Sequence, residues 1–181
     1  MPTARTLAEA QTYLGLLAAA DETADASPPQ TSLTEGEHAW TVHSTFGDIE
    51  VPYDSEAACR RLGVWFGLGV SPLVDAGQWI MIAGTYARRA LDADLVYQGR
   101  PEQDRNTVEL NWQFAAEAIG EAIKFLPEGA DRLPAAAFWS ELGEQLRRDE
   151  PEQITRAKLA DDLEYYTGTL EDFRALYGEA P

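Results

Sequence analysis

The most apolar stretch of the chain runs from residue 62 to residue 91 and is divided by Ser71-Pro72. A serine can cap the N-terminus of a helix and a proline fits its first turn, so we expect a helix from Pro72 to about Leu91. Apolar side chains go nearly all the way round this helix. Its narrow polar stripe consists of Asp75, Gln78, Thr85, Arg89 and Asp92. A helix that is apolar on nearly every face is usually buried, so the pattern predicts a central helix with the rest of the chain packed around it.

One region alternates apolar and polar residues as a β-strand does. The alternation covers residues 40–46 and resumes over residues 49–53, with Gly47-Asp48 between them. A two-residue turn that begins with glycine suits a hairpin. Pro52 cannot donate a ladder hydrogen bond, so the second strand should end there or lie at an edge. The pattern predicts one β-hairpin.

Residues 1–37 differ in composition from the rest of the chain. Thr6 and Glu9 form a capping-box pattern, and apolar residues follow them at helical spacing. Residues 21–37 are polar and contain two consecutive prolines, which is typical of a linker or a long loop. We therefore expect an N-terminal helical arm and linker over residues 1–37, and a single globular domain with the β-hairpin over residues 38–181.

Helix-start signals predict four further helices besides the central one. We expect them to begin at Asp54, Asn106, Pro134 and Pro151, and the last to break near Gly168. The fold class that follows is mainly α. It is a bundle of five to six helices around the central buried helix, with one N-terminal β-hairpin.

The charge of the chain limits its partners. Acidic residues outnumber basic ones by 31 to 14, which gives a formal net charge of −17. Nucleic-acid backbones and anionic membranes are bound mainly through Lys and Arg, so this balance argues against both. A basic protein partner suits the charge, and so does a solvated surface that serves solubility or adaptation to high salt. Both explanations stay open at this point.

Two features bear on location. The segment from Gly63 to Ala87 is long enough to cross a bilayer. Pro72, Asp75 and Gln78 stand near its middle, where a charged residue is costly, so we expect a buried helix instead. Cys59 is the single cysteine and cannot form a disulfide within the chain, which makes a reducing cytoplasm the simplest location.

Few residues match known catalytic patterns. His38 and His43 are the only histidines, and their odd spacing puts them on opposite faces of a regular strand, so they are not expected to bind one metal ion together. Cys59 stands beside Arg60 and Arg61, which suits a reactive thiolate. A buried, inert cysteine is the more common case, and we expect Cys59 to be one. No phosphate-binding glycine loop, nucleophile elbow or zinc-ligand spacing occurs in the sequence.

Carboxylates on two predicted helices suggest a metal site. Glu141 and Glu144 lie three apart on one helix face, and Asp161 and Asp162 lie on the next helix. Antiparallel packing of the two helices would bring four carboxylates around a hard cation.

This arrangement is similar to that of the all-α nucleoside triphosphate pyrophosphohydrolases, in which Glu-x-x-Glu on one helix and Glu-x-x-Asp on the next bind magnesium. The second motif is incomplete here, since Lys158 and Leu159 stand three residues before Asp161 and Asp162. The resemblance implies a metal-dependent nucleotide pyrophosphohydrolase-like enzyme that uses Mg or Mn. No other cofactor is expected.

The polar stripe of the central helix is a second candidate site. If Asp75, Gln78 and Arg89 face the interior, they need polar partners, and convergent polar groups on an apolar wall are typical of a small-ligand pocket. Asp75 in the first turn also suits the helix dipole, which would make its role structural.

The sequence favours an acidic, non-catalytic interaction protein that binds or inhibits a basic protein partner. The metal-dependent enzyme and a small-ligand-binding helical bundle are the alternatives. A homodimer through the N-terminal arm or the C-terminal helix stays open, because the apolar residues of both segments could pack against a second copy.

Overall fold

The computed structural model describes residues 1–21, 29–100 and 103–178. These residues form six α-helices, one 3₁₀ helix and one three-stranded sheet. The elements in chain order are α1 (Leu7–Ala20), β1 (Thr31–Glu35), β2 (Ala39–Ser44), β3 (Ile49–Pro52), α2 (Tyr53–Arg61), α3 (Ala76–Val96), α4 (Arg105–Ile123), the 3₁₀ helix (Ala135–Ala137), α5 (Glu141–Asp149) and α6 (Arg156–Tyr177). They belong to two compact units, unit 1 (Met1–Val74) and unit 2 (Asp75–Pro181). The prediction of a mainly helical chain with a small N-terminal β element is confirmed.

The sheet of unit 1 has one strand more than the predicted hairpin. Strands β2 and β3 form that hairpin, and β1 pairs antiparallel with the other edge of β2, with Leu33 opposite Val42. Every residue of β1 is exposed, so its sequence has no buried face and shows no alternation to indicate a strand. Backbone pairing with β2 makes it one. The first part of the predicted linker, residues 22–28, lies outside the described residues.

Helix α1 shares a core with this sheet. Thr6 caps the helix as predicted, since its Oγ1 accepts a hydrogen bond from the Glu9 backbone N at 3.1 Å. Ala10 and Leu14 of α1 are buried in one cluster with residues of β2 and β3. The helix predicted as part of an N-terminal arm therefore shares the core of unit 1.

In unit 2, helix α3 packs against α4 and α5, and α4 packs against α6. Trp79 of α3 and Trp112 of α4 are almost completely buried. The first two turns of α3 are buried on nearly all sides, with only Met81 exposed, whereas Leu91, Leu95 and Val96 in its second half are exposed. The predicted all-round burial therefore holds for the N-terminal half of the helix only.

Helix α3 begins four residues later than predicted. Its N-cap is Asp75, not Ser71, and Gln78 completes a reciprocal capping box with Asp75. The Ser71 hydroxyl instead accepts hydrogen bonds from the backbone N atoms of Leu73 and Val74 at 3.2 and 3.0 Å. A turn stabilised by a serine side chain thus replaces the predicted first helical turn.

Helix α6 is continuous through Gly168, where we predicted a break. One interior glycine costs only about 1 kcal/mol, and buried Tyr166 and Leu170 anchor the helix on both sides of it. Thr169, the predicted cap of a second segment, donates its hydroxyl proton to the Tyr165 carbonyl at 2.8 Å. None of the helices in the described ranges is long and apolar enough to cross a membrane.

Candidate interaction site

The predicted ligand residues Asp75 and Gln78 come together at the start of α3. Asp75 Oδ1 accepts a hydrogen bond from the Gln78 backbone N at 2.8 Å, and Gln78 Oε1 accepts one from the Asp75 backbone N at 3.0 Å. Arg89 is exposed in the C-terminal half of the helix, with its guanidinium carbon 5.8 Å from the centre of the Tyr86 ring. The structure therefore does not bring the three side chains together.

The buried carboxylate of Asp75 is also bound to the start of α5. Its Oδ2 accepts hydrogen bonds from the Trp139 backbone N at 3.0 Å, and from the backbone N and Oγ of Ser140 at 2.7 Å each. The Ser140 hydroxyl in turn caps α5 by accepting from the Gly143 backbone N at 2.9 Å. Both oxygens accept hydrogen bonds and Asp75 has no exposed surface, so this buried carboxylate joins two helix N-termini.

The four predicted metal ligands are not grouped. Glu144 accepts hydrogen bonds from Arg147, and Asp162 accepts one from Lys158. Glu141 and Asp161 are exposed, and their helices, α5 and α6, pack mainly against α3 and α4, respectively. In the part of the chain that the structure describes, no three His, Cys, Asp or Glu side chains are close enough to hold a metal ion.

The histidines and the cysteine occupy separate positions in unit 1. His43 lies on β2, where its Nε2 is 2.8 Å from Thr34 Oγ1 and its Nδ1 is 2.9 Å from Asp48 Oδ1. His38 is exposed in the turn between β1 and β2. Cys59 is buried in α2. None of these arrangements forms a nucleophile and base pair.

Much of the positive charge of the chain is used internally. In the described ranges, at least seven of the fourteen basic residues pair with a carboxylate: Arg5, Arg60, Arg105, Lys124, Arg147, Lys158 and Arg174. Several of the carboxylates that they neutralise are buried, such as Glu9, Glu109 and Glu121. This distribution is expected, because a buried carboxylate needs a partner and an exposed one is solvated. Exposed carboxylates are left to define the surface charge.

Helix α6 concentrates such carboxylates on one side. Its buried side includes Leu159, Tyr166, Leu170 and Phe173. The opposite side, which we call the acidic face, consists of Asp161, Glu164, Tyr165, Glu171 and Asp172, and all five are exposed. At about 100° per residue, these five positions fall within roughly 120° of the helix circumference. Its four carboxylates form no ion pair within the described part of the chain.

Tyr165 places an aromatic ring on this face. Its side chain is 56% exposed, yet the ring makes edge contacts with two neighbours, at centroid distances of 6.0 Å to Trp112 and 5.8 Å to Tyr166. Burial, together with the negative charge of Asp162, raises the pKa of Tyr166 to about 12. Tyr166 is neutral near pH 7, as an ordinary tyrosine is, and the raised pKa keeps it neutral to higher pH. The rings of Tyr165, Tyr166 and Trp112 contact one another beneath the acidic face.

Of the five residues of the acidic face, only Asp161 belongs to a site predicted from the sequence, the metal site. The signal for the whole face was present, since the buried residues of α6 recur at spacings of three and four and so define the opposite side. The contact between Tyr165 and Trp112 could not be predicted, because it joins two helices that are distant in sequence.

We compared the chain with protein-family models, curated protein sequences and solved structures, and found no match in any of the three.

Proposed function

We propose that the chain is a non-catalytic interaction protein that binds a basic protein partner through the acidic face of α6. One observation supports this most directly: Tyr165 stands exposed, in contact with Trp112, among four carboxylates that form no ion pair with any described residue. Exposed aromatic residues are enriched at protein interfaces. Unpaired carboxylates around such a ring suit an arginine or lysine of a partner.

The carboxylates and the Tyr165 ring would contribute different amounts to the binding free energy. Each exposed ion pair adds between about 0 and 1 kcal/mol, and a cation–π contact at an exposed ring adds about 0.5–1 kcal/mol. Several such contacts are needed for useful affinity. The net charge of −17 would also accelerate encounters with a basic partner at low salt, because long-range attraction steers association.

The proposal is tested by measuring the binding of a fluorescent nona-arginine peptide by fluorescence anisotropy. The test variant combines Glu164→Gln, Glu171→Gln and Asp172→Asn. The control variant combines Asp92→Asn, Glu128→Gln and Glu152→Gln, which are exposed residues of unit 2 outside the acidic face. Both variants change the net charge equally, so any difference between them reports the location of the charge.

We expect the test variant to weaken binding about tenfold, because three contacts of about 0.5 kcal/mol each are removed. The control variant should weaken it about twofold or less through the general field. Tyr165→Leu should reduce binding of nona-arginine while leaving thermal stability nearly unchanged. Equal losses in the two triple variants, or no salt-sensitive binding at all, would contradict the proposal.

A further inference from the structure

Unit 1 displays a second conspicuous surface, formed by residues 62–70, which we call the apolar loop. Four of its nine residues are large and apolar and are strongly exposed: Leu62 (65%), Trp65 (43%), Leu68 (44%) and Val70 (50%). Large exposed apolar patches mark interaction sites, and so many exposed apolar side chains in nine residues suit one. The proposed function does not use this surface.

The backbone of the apolar loop is held in place by the N-terminal segment. The Thr6 hydroxyl donates a hydrogen bond to the Phe66 carbonyl at 3.0 Å, and Arg5 Nη1 donates one to the Gly69 carbonyl at 2.5 Å. Gly67 packs so closely that a Cβ added there would lie 2.5 Å from Arg5 Nε. Phe66 itself is buried. The exposed side chains therefore project from a fixed backbone.

Arg5 is fixed in turn by a buried carboxylate. Glu9 has no exposed surface, and its Oε1 accepts hydrogen bonds from Arg5 Nη2 and from the Ser71 hydroxyl, both at 2.6 Å. Ser71 immediately follows the apolar loop. Burying an ion pair has a large desolvation cost. The Glu9 carboxylate therefore connects Arg5, which precedes α1, with Ser71, which follows the apolar loop.

The sequence around the apolar loop lacks the acidic residues that dominate the rest of the chain. The segment from residue 57 to residue 74 contains no Asp or Glu, and the three arginines of unit 1 are Arg5, Arg60 and Arg61. Arg60 pairs with Glu56 at 2.9 Å, whereas Arg61 is exposed and forms no ion pair in the described part of the chain. The loop is thus an apolar patch with a basic edge on an acidic protein.

We infer that the apolar loop docks on the acidic face of α6 in a second copy of this chain. The unpaired carboxylates of the acidic face are complementary in charge to the unpaired Arg61 beside the loop. Exposed Tyr165, together with exposed Leu176 one turn beyond Asp172, provides apolar surface for the side chains of the loop. A basic, apolar surface is the kind of partner that the acidic face is proposed to bind, so this inference rests on the proposed function. Different patches meet in this contact, so it joins copies head to tail.

Such self-association would compete with an external basic partner for the same face. The nine-residue loop is smaller than the roughly 20–30 residues per side of a standard stable interface. We therefore expect weak association that increases with protein concentration. It should decrease at about 1 M sodium chloride, where the Debye length is only about 3 Å.

Sedimentation velocity over a concentration series at low salt tests the inference on the full chain. Trp65→Ala should lower the association constant at least about tenfold, as is common for a central aromatic contact. Trp139→Ala is the matched control, because Trp139 is a similarly exposed tryptophan in unit 2, and it should leave the association unchanged. A monomeric wild type at every concentration, or equal losses in both variants, would overturn the inference.

A charge exchange tests which surface receives the loop. Arg61→Glu and Glu164→Arg should each abolish self-association alone. A mixture of the two variants should associate again, because the Glu164→Arg copy keeps an intact loop that can dock on the intact acidic face of the Arg61→Glu copy. Failure of the mixture to associate, or association that strengthens with salt, would overturn docking on the acidic face. Retention of nona-arginine binding by the Arg61→Glu variant would show that the proposed function stands even if self-association fails.

A lipid surface is the competing occupant of an apolar loop that contains tryptophan. Co-sedimentation with neutral phosphatidylcholine vesicles distinguishes the two. We expect no vesicle binding by the wild type. Vesicle binding that Trp65→Ala removes, in a wild type that is monomeric in solution, would assign the loop to lipid and overturn the inference.

Discussion

Gly143 lies so close to Asp75 that a Cβ added to Gly143 would collide with both carboxylate oxygens of Asp75. The N-termini of α3 and α5 meet at this carboxylate, which accepts hydrogen bonds from Gln78 on one side and Ser140 on the other. Gly77 contributes to the same close approach, since a Cβ there would lie 2.6 Å from the Gly143 Cα. Two glycines and one aspartate thus allow the helices to pack at backbone distance.

Gly143→Ala should therefore destabilise unit 2 although alanine favours helices. We expect a loss of about 2–4 kcal/mol, since the added methyl group must displace a buried, hydrogen-bonded carboxylate. The control is Gly168→Ala in α6, where an added Cβ meets nothing within 4 Å. That change should stabilise by about 0.5–1 kcal/mol. Urea unfolding of both variants checks the opposite signs, and a neutral Gly143→Ala would contradict the packing described.

The buried pair of Glu9 and Arg5 gives a prediction for unit 1. Glu9→Ala leaves the largely buried Arg5 side chain, 11% exposed, without its carboxylate. Breaking a fully buried pair typically costs about 3–5 kcal/mol, and we expect a loss near the lower end of this range. The exposed control Glu35→Ala should change stability by less than about 0.5 kcal/mol. Glu9→Ala should also make the apolar loop more mobile, because Arg5, which Glu9 positions, donates a hydrogen bond to the Gly69 carbonyl. Faster hydrogen exchange over residues 62–70 would report this, and unchanged exchange would count against the role of Arg5.

Glu109 should make stability depend on pH in the acid range. Burial disfavours its charge, but hydrogen bonds and attraction from Arg105 and Arg174 outweigh burial and hold the pKa of Glu109 below its ordinary value of 4.5. A carboxyl whose pKa is lower in the folded state stabilises the fold above about pH 4.5, and this contribution is lost as pH falls through the folded pKa.

The comparison of wild type with Glu109→Gln by urea unfolding measures this contribution. The wild type should be more stable than the variant at pH 7, and the difference should shrink steadily as the pH falls below about 4.5. A difference that is independent of pH would show that the Glu109 charge does not contribute and that only side-chain packing was changed.

Divalent ions give a prediction for the carboxylates of α5 and α6. Since Glu141, Glu144, Asp161 and Asp162 are not grouped, magnesium or manganese should raise the thermal unfolding temperature no more than sodium chloride does at equal ionic strength. A specific stabilisation at low ion concentration would indicate a site that binding assembles. That result would favour the metal-dependent nucleotide hydrolase over the interaction protein.

Several elements were predictable because their signals are local. The Thr6 cap joins atoms three residues apart, and the β2–β3 hairpin follows from alternation around a two-residue turn. The buried side of α6 follows from apolar spacing, and with it the acidic face opposite. In each case the interacting atoms are near one another in sequence, so the pattern itself contains the information.

Other features required contacts between distant segments. Ser71 and Asp75 are both good helix caps by type, and only the structure shows that Asp75 caps α3, where its second oxygen also binds Ser140, 65 residues away. Strand β1 exists through pairing with β2, not through an apolar pattern of its own. The support of the apolar loop by Arg5 likewise joins residues 64 positions apart.

By itself, the sequence determined the helical class, the first cap, the hairpin and the sign of the surface charge. Periodicity and capping depend on residues that are close in sequence, and composition does not depend on how the chain folds. The tertiary structure decided which carboxylates are neutralised and which stay exposed. The fold determines which carboxylates are buried. A buried carboxylate needs an ion-pair or hydrogen-bond partner, whereas an exposed one is solvated by water.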